Sequence, residues 1–294
     1  MDTLAHIQHK LVGAEDLKSV VRTMKAMAAS KIGQYELAVE SLSKYHHTIS
    51  LGLFVYFRDK PGTQLDFKAL PGAGKSPKEC AVIFGSDQGL VGPFNDTLAT
   101  FMSRYLTDLP GEKVVWVVGE RMKSHLVDID YEVTKSFPLP SVVESIASLI
   151  SQLLVNGEEL IENGSFDRIH VFHNKPNSGV GYTPVVQQLL PLDRQWKQGF
   201  LKQQWPTKLL PQIAGDAKLT LLALVHEYLF ASLFKACAES LASENASRLI
   251  SMQRAEKNIS ELLDDLNHQF HQLRQGLIDE ELFDVISGFE ALKK

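Results

Sequence analysis

The segment Ile259-Ser-Glu-Leu-Leu-Asp-Asp-Leu-Asn-His-Gln-Phe-His-Gln-Leu-Arg-Gln-Gly-Leu277 carries Ile259, Leu263, Leu266, Phe270, Leu273 and Leu277 at steps of four, three, four, three and four. That is the a/d seam of a heptad repeat, which buries one stripe of a helix against another helix. The helical pattern around it runs from about Asp216 to Leu292, and the last 83 residues contain no proline. The first 60 residues lack proline too, because all 12 prolines lie between Pro61 and Pro211. Proline breaks a helix interior, so its absence from both ends fits two long helical arms around a different kind of domain. The N-terminal arm, about Thr3 to Phe57, answers with apolar residues at helical spacing: Leu17, Val21, Met24, Ala28, Ile32, Tyr35, Val39, Leu42, Ile49 and Leu53. A helix from Lys218 to Arg274 alone would be about 85 Å long at 1.5 Å per residue, so the reading expects part of the arm to project.

The middle has another texture. Glu79-Cys-Ala-Val-Ile-Phe-Gly85, Lys113-Val-Val-Trp-Val-Val-Gly119 and Arg168-Ile-His-Val-Phe-His173 are short β-branched runs, the pattern of buried parallel strands. Asn95 to Leu109 and Ser141 to Asn156 have helical spacing, which gives β-α-β-α-β order and an α/β sheet. The expected organisation is therefore a helix over 1–58, a linker over 59–78, an inserted Rossmann-like α/β domain over 79–215, and a second long helix over 216–294. The fold class is α/β with a long helical pair.

Composition bounds the function. The chain has 294 residues, 44% hydrophobic and 22% charged, with a net charge of -5. It can bury a sizeable core, and a pI near 6.1 gives no reason to expect nucleic acid. Met1 to Lys10 lacks a basic region followed by an apolar one, so no signal peptide is expected, and no membrane span is read from the sequence. Cys80 and Cys237 suit free buried thiols rather than a disulfide framework.

Several motifs suggest chemistry that their context does not support. Gly72-Ala-Gly-Lys-Ser76 ends like a phosphate-binding loop, but Ala69 stands where its first glycine belongs and Pro77 follows directly. Gly85-Ser-Asp-Gln-Gly-Leu-Val-Gly92 sits between a strand and a helix, yet its glycine spacing is not the dinucleotide fingerprint, so backbone turning is expected. His170 and His173 are an odd number of strand residues apart and should face opposite ways. No catalytic group, cofactor site or metal site is expected. One charge feature stands out: Lys10 to Lys31 balances to +3, and Glu261 to Asp284 to -6. Opposed arms of opposite charge gain modest support from the pairing.

Three collinear stretches then carry a resemblance. Lys18-Ser-Val-Val-Arg-Thr-Met-Lys-Ala-Met-Ala-Ala-Ser-Lys31 resembles the N-terminal signature of the F-type ATP synthase gamma subunit. Glu239-Ser-Leu-Ala-Ser-Glu-Asn-Ala-Ser-Arg-Leu-Ile-Ser-Met252 is similar to that family's C-terminal signature, continued by Asn258, Leu262, Leu263, Arg274-Gln275 and Ile286-Ser-Gly288. Ser86-Asp-Gln-Gly-Leu-Val-Gly-Pro-Phe-Asn95 is similar to its middle motif. The resemblance implies an antiparallel coiled coil of the terminal helices with an α/β domain at its base. It implies a central-stalk rotor shaft that couples ion flow through the membrane c-ring to the catalytic beta subunits. The partners so implied are the alpha and beta subunits, the epsilon subunit and the c-ring. The protein would be a non-catalytic subunit, peripheral to the cytoplasmic face of a bacterial plasma membrane. By position in the motifs, Met24, Lys25, Arg248, Arg274 and Gln275 are the expected contacts for beta-subunit coupling; plain coiled-coil core is the competing reading of Met24.

The departures from the family pattern are Gln88 for arginine, Val91 for cysteine and Pro93 for glycine in the middle motif. Asp279 replaces a threonine near the end, with Glu280, Glu281 and Asp284 close by. They point to a divergent gamma subunit, of an alternate rotary ATPase kept beside a standard one. The alternative reading is a nucleotide-binding α/β enzyme whose arms only oligomerise it.

Overall fold

The computed structural model describes residues 3–60, 78–162, 167–177, 181–192 and 194–292. The phosphate-loop-like Gly72–Ser76 and nearly all of the expected linker lie outside the described residues. In chain order the elements are α1 (Leu4–Asp59), β1 (Lys78–Phe84), α2 (Phe94–Thr107), β2 (Glu112–Val118), α3 (Glu120–Asp128), β3 (Val133–Phe137), α4 (Val143–Glu162), β4 (Arg168–Pro176), β5 (Tyr182–Leu190), α5 (Arg194–Leu201) and α6 (Ala217–Leu292). The chain packs as two compact units, residues 30–247 and residues 1–29 with 248–294.

The larger unit is built on a five-stranded sheet of order β3-β2-β1-β4-β5. β1 pairs in parallel with β2 and β4, β2 with β3 likewise, and β5 closes the sheet antiparallel to β4. Side chains alternate across a strand, and both faces of this sheet are covered. Cys80, Val82, Phe84, Trp116, Val118, Ile169 and Val171 turn to one face, in a core with α1, α4 and α6. Ala81, Ile83, Val115, Val117 and Phe172 turn to the other, against Leu98, Met102 and Leu106 of α2 and Met122 and Leu126 of α3. The continuous apolar runs of β1, β2 and β4 are the consequence. Both cysteines are free and buried, and burial pushes both thiols far up from their ordinary value.

Four elements were absent from the sequence reading: α3, β3, β5 and α5. The two strands lie at the sheet edges. β3 exposes Thr134, Lys135 and Ser136, and β5 contains Pro184, Gln187 and Gln188, so neither forms an apolar run. α3 and α5 are only nine and eight residues long, too short for periodicity to stand out. The return expected over Pro191 to Gly215 thus contains a helix. Among the described residues, α6 alone holds a stretch long and apolar enough to cross a membrane by composition. Its first turns bury Leu221, Val225, Leu229 and Leu233 in the core, as the central helix of a globular unit does.

In the smaller unit the two helices run antiparallel. Ile7 and Ala14 of α1 pack with Leu263 and Leu266 of α6, flanked by Leu11, Ile259 and Phe270. Arg22 and Lys25, further along α1, meet Glu256, further back along α6. The α1 seam steps through Ile7, Leu11, Ala14, Lys18, Val21, Lys25 and Ala28, all buried or half-buried. Two expectations change here. Leu17 is 59% exposed and the half-buried Lys18 takes the seam position beside it; a lysine stem covers apolar surface while its ammonium reaches water. Leu273 and Leu277 extend the heptad in sequence, but residues 271–288 are exposed throughout. Among the described residues no second surface buries them, and they are 37% and 45% exposed.

Candidate functional site

In an open α/β sheet, ligands bind beyond the carboxyl ends of the strands, where the strand order reverses. Here that point lies between β1 and β4, and the chain fills it with its own groups. Three serines of α6, spaced three and four apart, close over it. Ser240 Oγ donates to Phe84 O at 2.8 Å, Ser243 Oγ to Asn174 O at 2.9 Å, and Ser247 Oγ to Val91 O at 2.6 Å. A helix bearing hydroxyls at steps of three and four residues thus reaches three backbone carbonyls in a row.

The glycine-rich turn Gly85–Gly92 is equally self-contained. Ser86 N donates to Asn95 Oδ1, Asn95 Nδ2 donates to Ser86 Oγ, and Ser86 Oγ donates to Gln88 O. Asp87 Oδ1 accepts from Glu120 N and so caps α3. Gly85 in this turn and Gly119 beside it serve close packing. A Cβ on Gly85 would sit 2.1 Å from Met122 Cβ, and one on Gly119, whose φ is +108°, would sit 2.6 Å from Ser86 O. The side chains of Ser86, Asp87 and Asn95 are thus bonded within the fold. The expectation that this turn shapes the backbone agrees with its geometry.

The two histidines do face opposite ways. His170 Nε2 lies 2.9 Å from Glu79 Oε2, and Arg168 donates to the other oxygen of the same fully buried carboxylate at 3.0 Å. His173 Nε2 lies 2.9 Å from Glu239 Oε2 of α6. Burial lowers the His170 imidazole below its ordinary value, against the opposing pull of Glu79. Burial alone would raise Glu239; the hydrogen bond and charge of His173, with Lys235 and Lys175, outweigh it and hold the carboxyl low. Both depressed groups take protons more readily in the unfolded chain. Stability should therefore be full above about pH 6.5, fall as acid passes through the lowered His170 value, and fall again below about pH 4.3 as Glu239 protonates. Urea midpoints at pH 7.5, 5.5 and 4 test this; a midpoint that climbs on acidification contradicts it.

The residues singled out from sequence lie on the helical arms, α1 and α6. Met24 is half-buried beside the seam. Lys25 donates to Glu256 Oε2 at 2.5 Å, and Arg22 Nε to Glu256 Oε1 at 2.8 Å. The Lys25 and Arg22 hydrogen bonds hold the Glu256 carboxyl down at about 2. Arg248 is half-buried on α6, where the smaller unit begins. Arg274 and Gln275 are exposed on the uncovered turns. The structure brings Lys25 and Glu256 together, a partner that sequence reasoning missed. Glu256 lies 231 residues from Lys25 in sequence, so only the arm register reveals the pair. Ala28, read from its spacing as part of the apolar stripe of the N-terminal arm, is buried in the seam.

A sequence profile described as ATP synthase matches residues 3–292. The chain belongs to the ATP synthase gamma family. The ATP synthase gamma chains of Pelagibacter ubique and Sphingopyxis alaskensis are 26% and 25% identical to it, each over 99% of this chain and 100% of theirs. Among solved structures, a chain of the Euglena gracilis mitochondrial ATP synthase (OSCP/F1/c-ring, rotational state 3) superposes with a TM-score of 0.63 at 17% identity. That match covers 98% of this chain and 94% of the other. A rotor chain of the same enzyme gives 0.60 at 15% identity, and these two matches bear on the fold. As a member of the ATP synthase gamma family, this chain keeps the middle motif as a packing device despite its substitutions. Val91 is buried and its carbonyl takes the Ser247 hydroxyl, Gln88 contributes its carbonyl, and Pro93 O accepts from Thr97 N at the start of α2.

Proposed function

We propose that this protein is the central-stalk shaft of an F-type ATP synthase, non-catalytic itself. Its paired arms enter a head of alpha and beta subunits, and its α/β unit meets the epsilon subunit and the c-ring. The complex sits peripherally on the cytoplasmic face of a bacterial plasma membrane and couples ion flow to conformational change in the beta subunits. One observation supports the reading most: in a member of the gamma family, the antiparallel pair ends in bare helical turns, residues 271–288, whose apolar side chains are exposed among the described residues. Proline-free helices packed on a heptad seam give the stiffness that transmitting torque needs.

Met24, Lys25, Arg248, Arg274 and Gln275 are proposed as beta-subunit contacts. Lys25 would act through its pair with Glu256, holding the face of α1 that carries Met24. Arg274 and Gln275 would touch the head directly. The departures from the family pattern support an alternate rotary ATPase kept beside a standard one; a host genome without a second gamma-like gene removes that part.

Tagged protein recovered from its native host is expected to bring alpha and beta ATPase subunits with it, identified by mass. Their absence sinks the shaft reading. In the assembled complex, Met24→Lys is expected to leave ATP hydrolysis largely intact while lowering ion pumping several-fold. Unchanged coupling would return Met24 to a packing role.

A further inference from the structure

We propose that the cleft between the end of β5, α5 and α6 binds a small alkylammonium ion, held on a corner of aromatic rings with its N–H on Gln203. The cleft lies wholly within the larger unit and has a volume of about 450 Å³. Trp196 and Phe200 of α5 and Tyr228 of α6 line it. The three rings stand nearly perpendicular to one another. Trp196 and Phe200 are at 75° with centroids 4.7 Å apart, Trp196 and Tyr228 at 75° and 5.2 Å, and Phe200 and Tyr228 at 85° and 5.6 Å. Such a corner turns π faces in more than one direction, as aromatic cages for ammonium groups do. The same cluster already takes an ammonium of the chain's own. Phe57 meets Trp196 in a T-shaped contact, and Lys197 Nζ lies 5.0 Å from the Phe57 centroid.

Two further observations point to a ligand. Gln203 lines the cleft, and its Oε1 is buried with no hydrogen-bond partner among the described residues. A buried acceptor left unpaired costs free energy, and a donor supplied by a ligand removes that cost. Gly199 lies inside α5, where glycine weakens a helix relative to alanine, yet a Cβ built on it meets nothing within 4 Å. No packing within the described residues excludes a side chain there, and the space it would take belongs to the cleft. The lining selects the class of ligand. Among the described residues no charged side chain lines it, so an anion finds no partner and meets the negative faces of the rings. A neutral body fills the corner without using the ring quadrupoles. An alkylammonium ion with an N–H uses the rings and satisfies Gln203 together. The site stands independently of the central-stalk reading.

The test is calorimetric titration of the full-length chain with N,N-dimethylbutylammonium, butyltrimethylammonium, hexan-1-ol and hexanoate. The first should bind one to one, about tenfold more tightly than hexan-1-ol, which can donate to Gln203 but carries no charge. Hexanoate should not bind. Butyltrimethylammonium keeps the charge and lacks the N–H, so it should bind about fivefold more weakly than the first. Gly199→Leu fills the cleft and should abolish binding while keeping or raising the urea midpoint, because leucine is the better helix former. Tyr228→Leu should weaken binding about tenfold, and Gln203→Leu should erase the difference between the two ammonium ions. Absence of saturable binding overturns the proposal, as does equal affinity for hexan-1-ol, which would mean an apolar crevice only. Undiminished binding by Gly199→Leu puts the ligand elsewhere and overturns the site. Equal affinity of the two ammonium ions for the parent chain overturns the role of Gln203. Circular dichroism checks that each variant folds; if Tyr228→Leu does not, Gly199→Leu, whose new Cβ meets no other atom within 4 Å, decides the matter.

Discussion

Glu79→Ala is expected to destabilise the larger unit by about 3–5 kcal/mol, the cost of removing one partner from a buried charged network. Glu79 is fully buried on β1 and takes Arg168 and His170 on its two carboxylate oxygens. Its removal strands the buried His170, whose Nδ1 has only the distant Tyr105 hydroxyl at 3.4 Å. Arg168 is part-exposed and can turn to water, so the loss centres on the imidazole. Glu79→Gln keeps the shape and one hydrogen bond, and should cost less than half as much. Urea unfolding of the two variants, followed by circular dichroism, separates these cases. A Glu79→Ala loss below about 1 kcal/mol would show that the site relaxes or hydrates freely.

The second large effect is at Gly119, which ends β2 and starts α3. Its φ of +108° is a conformation that side chains rarely adopt, and an added Cβ would lie 2.6 Å from Ser86 O and 2.8 Å from Ser86 C. The obstacle is backbone, so no side-chain rotation relieves it. Strain of about 1–3 kcal/mol for the dihedral adds to about 1–3 kcal/mol for overpacking, and Gly119→Ala should lose about 2–6 kcal/mol. Gly52→Ala provides the contrast. Its Cβ would also come too close, at 2.9 Å, but to Leu224 Cδ2, the free end of a flexible side chain. Gly52→Ala should therefore fall within about 1 kcal/mol of the parent, helped by alanine's helix propensity. Equal losses at the two sites would mean that backbone strain is not what distinguishes them. Both large effects bear on the proposed shaft, because the sheet they support is packed against the lower part of α1 and the start of α6.

Much of the architecture was legible from local pattern. Proline confined to the middle, the heptad at Ile259–Phe270 and three β-branched runs each reflect a rule that acts within one element. The central strands were readable because burial on both faces forces an unbroken apolar run. β3 and β5 were not, since an edge strand with one open side tolerates Lys135, Gln187 and Gln188. The candidate contacts were placed by motif, but Lys25's partner Glu256 is 231 residues away in sequence and depends on the register of two helices.

Within this chain, then, periodicity and proline placement determine that there are two long helices and a parallel-stranded domain between them. Only the tertiary structure decides which face of each helix is used. It puts Lys18 rather than Leu17 in the seam, turns the serines of α6 onto the strand ends where a ligand would sit, and stops the pairing at Phe270. The reason is physical: spacing along a helix defines a stripe, but burial of that stripe requires a second surface. Where α1 offers no such surface, an apolar residue such as Leu277 is left 45% exposed.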